Sequence, residues 1–184
     1  MPEVQNVFRV VIRASVEDVW HEITRTDAPI LAFFNSRMDA GGLVPGATIA
    51  MRTPNGKYTG VVGEILEFDP PRRFVHTFRF TAYDDPPCTV AYDLKETAEG
   101  VEFTLTILDL PVGTKTAKQM VQGGSMIVKT LKAVMETGKP PMGIRMLYVL
   151  FAVMGPMTPK KCLSERWPVR GARNGAAHEQ IGGH

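Results

Sequence analysis

The sequence is poor in the residues that announce chemistry. Its two cysteines, Cys88 and Cys162, form no CxxC pair, which argues against a disulfide framework or a thiolate zinc site and leaves two reduced, incidental thiols. The four histidines, His21, His76, His178 and His184, show no metal-ligand spacing, so no metal is expected. There is no GxSxG, no P-loop and no GxGxxG, and the pairs Gly41-Gly42 and Gly123-Gly124 stand isolated. Nucleophilic catalysis and cofactor phosphate binding therefore have no candidate, and no cofactor is expected.

Long apolar runs and charge of one sign are also missing. No stretch approaches the roughly 20 apolar residues that cross a bilayer, so no transmembrane segment is expected. Met1-Pro2-Glu3 begins without a basic or apolar leader pattern, so export is not expected and the location expected is the cytoplasm. Formal net charge is only +2, but it is uneven: residues 139–184 hold seven of the 21 basic and two of the 19 acidic residues, leaving 14 and 17 for the rest. The main body thus lacks the basic face that nucleic-acid binding requires. At 184 residues the chain suits one well-cored domain plus an appendage.

What is present is an ordered series of patterns. Phe8 to Ile12 is β-rich and opens a sheet. Ser15, with Asp18 three residues on, makes a capping-box-like start, and Val16, Val19, Trp20 and Ile23 follow on one helical face. Ile30 to Phe34 reads as a short helix or turn, and Asp39 to Gly46 as a glycine-rich loop. Thr48 to Arg52 and Tyr58 to Phe68 flank Asn55-Gly56, a strong hairpin signal because both central residues must tolerate positive φ. Arg52, beside that hairpin, reads as a solvated strand end. Phe74, His76, Phe78 and Phe80 share one face of the next strand. Val90, Tyr92 and Leu94, then Val101, Phe103, Leu105 and Ile107, alternate in two further half-buried strands. Glu64, sharing parity with Val62 and Leu66, would carry a carboxylate inward unless a bulge reverses it.

The last pattern of the body is a long helix from Lys115 to Thr137. Ala117, Met120, Val121, Gly124, Ile127, Val128, Leu131, Val134 and Met135 repeat by threes and fours, and Gly138 follows as a C-cap. Such a helix runs roughly 35 Å, enough to cross a small sheet. Within it Gly123 and Gly124 cost about 1 kcal/mol each relative to alanine. Close contact with the sheet or room for a ligand would each account for them.

The segments Ala14–Thr24, Gly63–Phe78 and Gly123–Pro140, in that order, resemble the heat-shock ATPase activator homologue branch of the START-like, polyketide-cyclase-like (SRPBCC) superfamily. The likeness spans about residues 7 to 140. It implies an α+β helix-grip fold, a curved antiparallel sheet wrapped around a long C-terminal helix, with a cavity between them. One departure stands out: Ser125 and Met126 follow the paired glycines, where an aromatic residue is frequent in the family. The superfamily includes lipid carriers, receptors and cyclases, so the resemblance names no single chemistry.

Three functions follow as expectations. The preferred one is noncatalytic binding of a small apolar or aromatic molecule in the cavity, with Met51, Tyr58, His76, Tyr92, Phe103, Met120 and Gly124 as candidate lining. A cyclase-type enzyme would use His76 as acid or base on a polyketide-like or aromatic substrate. A chaperone-activator-like interaction module would use its surface instead. For His76 itself, a buried histidine bonded to backbone or to Tyr92 is preferred over a general base.

Residues 1–139 are accordingly read as the helix-grip domain, 140–170 as an apolar arm with a basic segment, and 171–184 as a disordered tail. Ile144 to Met154 is apolar almost all round, with Arg145 its lone charge, and must be covered by something. Packing on its own domain, a homodimer through residues 144–154, and a membrane interface compete. The first two are preferred because an interfacial helix should carry a charged face. Seven of the ten methionines lie between Met120 and Met157, giving that region an adaptable lining.

Overall fold

The computed structural model describes residues 4–172, so 173–184 of the expected tail lie outside the described residues. Seven strands form one antiparallel sheet in the order β1-β7-β6-β5-β4-β3-β2. They are β1 (Val4–Ile12), β2 (Arg37–Ala40), β3 (Thr48–Arg52), β4 (Thr59–Asp69), β5 (Arg73–Phe80), β6 (Cys88–Thr97) and β7 (Gly100–Leu108). Helix α1 (Val16–Thr24) and a 3-10 turn (Leu31–Phe33) separate β1 from β2; α2 (Lys115–Thr137) and α3 (Met142–Met154) follow β7. The sheet curves around α2, which packs on β1, on β7 and on the 3-10 turn. This is the α+β helix-grip fold.

Local chemistry explains the element boundaries. Ser15 Oγ accepts from the Asp18 backbone N–H at 3.1 Å and donates to the Asp18 carboxylate at 2.7 Å, fixing the start of α1. Val19, Trp20 and Ile23 of α1 then enter the core, where the Trp20 ring meets Phe68 at 5.3 Å. Thr114 caps α2 through the Ala117 N–H. Gly138, at φ 76°, closes it by donating to the Val134 carbonyl, in a conformation that an L side chain resists. Inside α2, Met120, Gly124, Val128 and Leu131 are buried, whereas Val121 is exposed despite its place in the apolar pattern.

Three local expectations need correction. Asp39 and Ala40, expected in the loop, end a strand, Arg37–Ala40, that pairs only with β3 at the sheet edge and is too short to stand out in the sequence. Glu64 points outward, because Val61, Gly63 and Ile65 take the inner parity and Leu66 stands half-exposed on the outer face. The irregularity in β4 comes only after Ile65, where the register against β5 shifts. Arg52 is not solvated; residues beyond α3 fold back over it. Its guanidinium donates to Asp39 at 2.8 Å, to Thr59 Oγ1 at 2.6 Å, and to the carbonyls of Ser164 and Trp167 at 3.3 and 3.0 Å.

Those returning residues form a strap across the β2–β3–β4 end of the sheet. Leu163 bridges Tyr58, the Ser164 N–H donates to the Lys57 carbonyl at 3.0 Å, and the Thr48 N–H donates to the Arg170 carbonyl at 2.9 Å. Trp167 lies under the Arg79 guanidinium at 5.4 Å. Helix α3 is therefore tethered at both ends, by α2 before it and by the strap after it. Between these anchors none of its residues is buried.

Candidate ligand-binding site

Two adjoining spaces lie on the concave side of the sheet. The inner one, about 100 Å³, sits between the sheet and α2, with Val61, Phe78, Val90, Tyr92, Leu105 and Ile107 on one wall and Met120, Gly123, Gly124 and Ile127 on the other. The outer one, about 850 Å³, is a groove between the β3–β4 hairpin, the Phe80–Tyr83 turn and α3, with Tyr58, Tyr148, Phe151 and Met154 among its walls. Phe34, Ser36, Phe80 and Gln119 line both. The inner space alone is smaller than the roughly 300 Å³ that opens the range for drug-sized ligands, so the groove supplies most of the volume.

The inner wall follows from strand alternation and from the aromatic packing behind it. Tyr92 stacks on Phe33 at 5.4 Å and on Phe103 at 5.9 Å, with Phe74 and His76 at 5.8 and 5.7 Å. Burial pushes the Tyr92 phenol well above its usual range, so it stays protonated as a donor. Tyr92 lines the inner space and no hydrogen bond contributes to the shift of its phenol, so its hydroxyl is available to a guest.

Of the seven candidate residues, the structure brings Met51, Tyr92, Met120 and Gly124 together around the inner space. Tyr58 lies on the outer groove. His76 and Phe103 line neither; both are packed in the core behind the wall, Phe103 with no solvent exposure. His76 Nδ1 donates to the Thr77 carbonyl at 2.7 Å, and burial pulls the imidazole down to about 4, leaving it neutral near pH 7. Its ring neighbours are Phe74, Phe78 and Tyr92. No carboxylate bonds to it among the described residues, so the usual means of activating an imidazole is missing there.

Other residues of the site escape a sequence reading. Phe34 takes a left-handed backbone, φ 55°, at the junction of the two spaces. A bulky side chain there is strained, and such strain clusters at binding sites. The Asn35 that follows, also left-handed, is the single hint in the sequence. Gln119 donates to the Tyr83 hydroxyl at 2.5 Å and marks the mouth of the inner space. The two helix glycines serve different ends. A Cβ on Gly124 would fall 2.3 Å from the Phe8 ring, so Gly124 admits a close approach by β1, whereas a Cβ on Gly123 would meet Phe34 at an ordinary 3.5 Å.

Comparison with known proteins agrees with this architecture. Residues 13–136 match the family described as Activator of Hsp90 ATPase homolog 1-like protein, and the chain belongs to that family. The structure of DynU16, from the dynemicin biosynthetic locus, is similar with TM-score 0.58 and 24% identity, covering 73% of this chain and 48% of that one, so this chain spans about half of it. CalU16 from Micromonospora echinospora is similar with TM-score 0.55 and 18% identity, over 82% of this chain and 90% of that one. The Aha1 dimer from Colwellia psychrerythraea is similar with TM-score 0.56 and 18% identity, over 72% and 96%. At these identities the likeness is one of fold. No curated protein matches the chain. No helix among the described residues is long and apolar enough to cross a membrane.

Proposed function

We propose that this member of the activator homologue family binds a slender apolar or aromatic molecule, without transforming it, in the space between the sheet and α2. The observation that carries the reading is a largely apolar inner space that carries the Tyr92 phenol as a donor and opens past Phe34, Ser36 and Phe80 into a larger groove. A guest fits this shape if a narrow apolar end occupies the inner space, an acceptor meets Tyr92, and the rest lies in the groove against Tyr58 and Phe151. Met51 and Met120 suit such a wall because unbranched thioethers adapt to an irregular guest. The neutral, backbone-bonded His76 favours binding over a cyclase-type reaction.

The test uses native mass spectrometry of the purified protein and titration with an environment-sensitive apolar dye. Uptake is expected in the parent and is lost by roughly tenfold or more in Gly123→Leu, which fills the inner space from a position with room for a Cβ. Tyr92→Phe weakens a guest with an acceptor by about fivefold, the worth of one hydrogen bond, and leaves a pure hydrocarbon unaffected. Absence of any bound species and of dye uptake, with both variants indistinguishable from the parent, would defeat the reading in favour of a surface-acting interaction module.

A further inference from the structure

Helix α3 lies beyond the family-matched residues, and the way it presents its side chains is unusual for a protein surface. Met142, Met146, Val149 and Val153 follow at spacings of four, three and four, and with Met157 just beyond they are 65–78% exposed. Those spacings put them on one face. Leu150, about half exposed, widens it, while Phe151 and Met154 turn toward the outer groove. A contiguous apolar stripe of this kind exceeds the patches that soluble monomers ordinarily leave wet.

The charges around the stripe say what covers it. Between Thr137 and Ser164 there are four basic residues, Lys139, Arg145, Lys160 and Lys161, and no acidic one. Asp84, in the neighbouring loop, is already paired with Lys161 at 3.6 Å. A second copy docked through the same face would set Arg145 against a surface whose helix offers no carboxylate in return. A bilayer with anionic headgroups satisfies both features, taking the stripe at its acyl boundary and the cations at the headgroups. The polar back that a free interfacial helix must carry is replaced here by protein: the Tyr148 hydroxyl donates to the Leu31 carbonyl, and the strap and α2 hold both helix ends.

We infer that α3 docks the protein on anionic lipid surfaces, with Met142, Met146, Val149 and Val153 at the acyl boundary and Arg145 and Lys160 among the headgroups. The same helix walls the outer groove through Tyr148 and Phe151 on its other side, so docking sets the site beside the membrane with α3 between them. The inference does not require the inner space to be filled.

Flotation of the full chain with vesicles of phosphatidylcholine alone, and of an equimolar phosphatidylcholine–phosphatidylglycerol mixture, tests it. Binding to the mixed vesicles is expected, with weaker binding to the neutral ones and a decline as salt is added. Val149→Glu combined with Val153→Glu lowers affinity for mixed vesicles about a hundredfold. Arg145→Ala combined with Lys160→Ala lowers it roughly tenfold. All four residues are exposed, so circular dichroism and apolar-dye uptake stay at parental values, which separates failure here from failure of the ligand reading. Lack of flotation with both vesicles overturns the inference. So does equal, salt-insensitive flotation with both, or a dimer in light scattering that Val149→Glu dissociates, which would assign the face to a second copy.

Discussion

The inner face of β5–β7 and helix α3 are built from the same kinds of large apolar side chain, yet Phe74 and Phe103 are completely buried while Met142 and Val153 keep 75% and 72% of their surface exposed. The difference lies in patterning. On β6 and β7 the inward apolar residues alternate mostly with polar ones, Thr89, Asp93, Lys95, Glu102, Thr104 and Thr106, so the fold can satisfy both faces within one chain. In α3 the apolar residues run round most of the helix, and one chain offers only the rim of the groove to cover them. The sheet side chains are thus covered within the chain, whereas no residue of α3 is buried.

Truncation at matched aromatic positions gives the largest expected contrast. Phe103→Ala removes a ring stacked on Tyr92 and should cost about 4 kcal/mol in urea unfolding. Phe151→Ala, on the half-exposed side of α3, should cost less than about 0.5 kcal/mol in the same measurement. Comparable losses at the two sites would mean that α3 is covered in solution, which would break the comparison.

Acid sharpens the contrast at the next level, because the body hides a titratable ring that the appendage lacks. An unfolded histidine titrates near 6.5, whereas His76 is held at about 4 by burial. Between those values the unfolded chain binds the extra proton, so stability rises with pH and is lost as pH falls from 6.5 toward 4. From pH 7 to pH 5 the loss from this one group is about 2 kcal/mol. The Glu22 carboxyl, raised mainly by desolvation, works in the opposite sense, and the Asp27 and Glu136 carboxylates, held at about 2, act only below this window. His76→Gln isolates the term: it should be less stable than the parent at pH 7 but show a flatter decline to pH 5. An unchanged slope would mean that His76 is not desolvated.

The same contrast explains what the sequence could convey. The bounds of α2, the Ser15 cap, the Asn55-Gly56 hairpin and the inward Tyr92 and Phe103 rest on periodicity and on local hydrogen-bonding chemistry, both written within a few residues. The clasp at Arg52 depends on Ser164 and Trp167, far along the chain, and no short window contains it, while Arg37–Ala40 is too short and Phe34 too unusual in backbone to read from their neighbours. The site divides in the same way. Alternation places Tyr92 and Met51 on the inner wall, but it cannot tell a wall residue from one packed behind it, which is why His76 and Phe103 share the same pattern without lining the space. For α3, a segment apolar on most sides announces that it needs cover, and only the exposure of Met142, Met146, Val149 and Val153 singles out the uncovered face.

The smallest contrast is carried by two neighbouring residues and tests the fit between β1 and α2. Gly123 and Gly124 occupy consecutive positions in the middle of α2, and alanine at either would remove about 1 kcal/mol of helix cost. At Gly123 the added methyl meets only the edge of Phe34 at 3.5 Å, so Gly123→Ala should raise stability by up to about 1 kcal/mol. At Gly124 it would stand 2.3 to 2.7 Å from three carbons of the Phe8 ring, which is held by a strand paired to β7 along its length. Phe8 then has to turn or β1 has to retreat, an overpacking penalty of about 1 to 3 kcal/mol that exceeds the helix gain and leaves Gly124→Ala less stable by about 1 kcal/mol. Pairing it with Phe8→Leu, which gives the methyl room, should recover most of that loss in the same unfolding series. Two alanine variants of equal stability would show that α2 stands farther from β1 than the packing here requires.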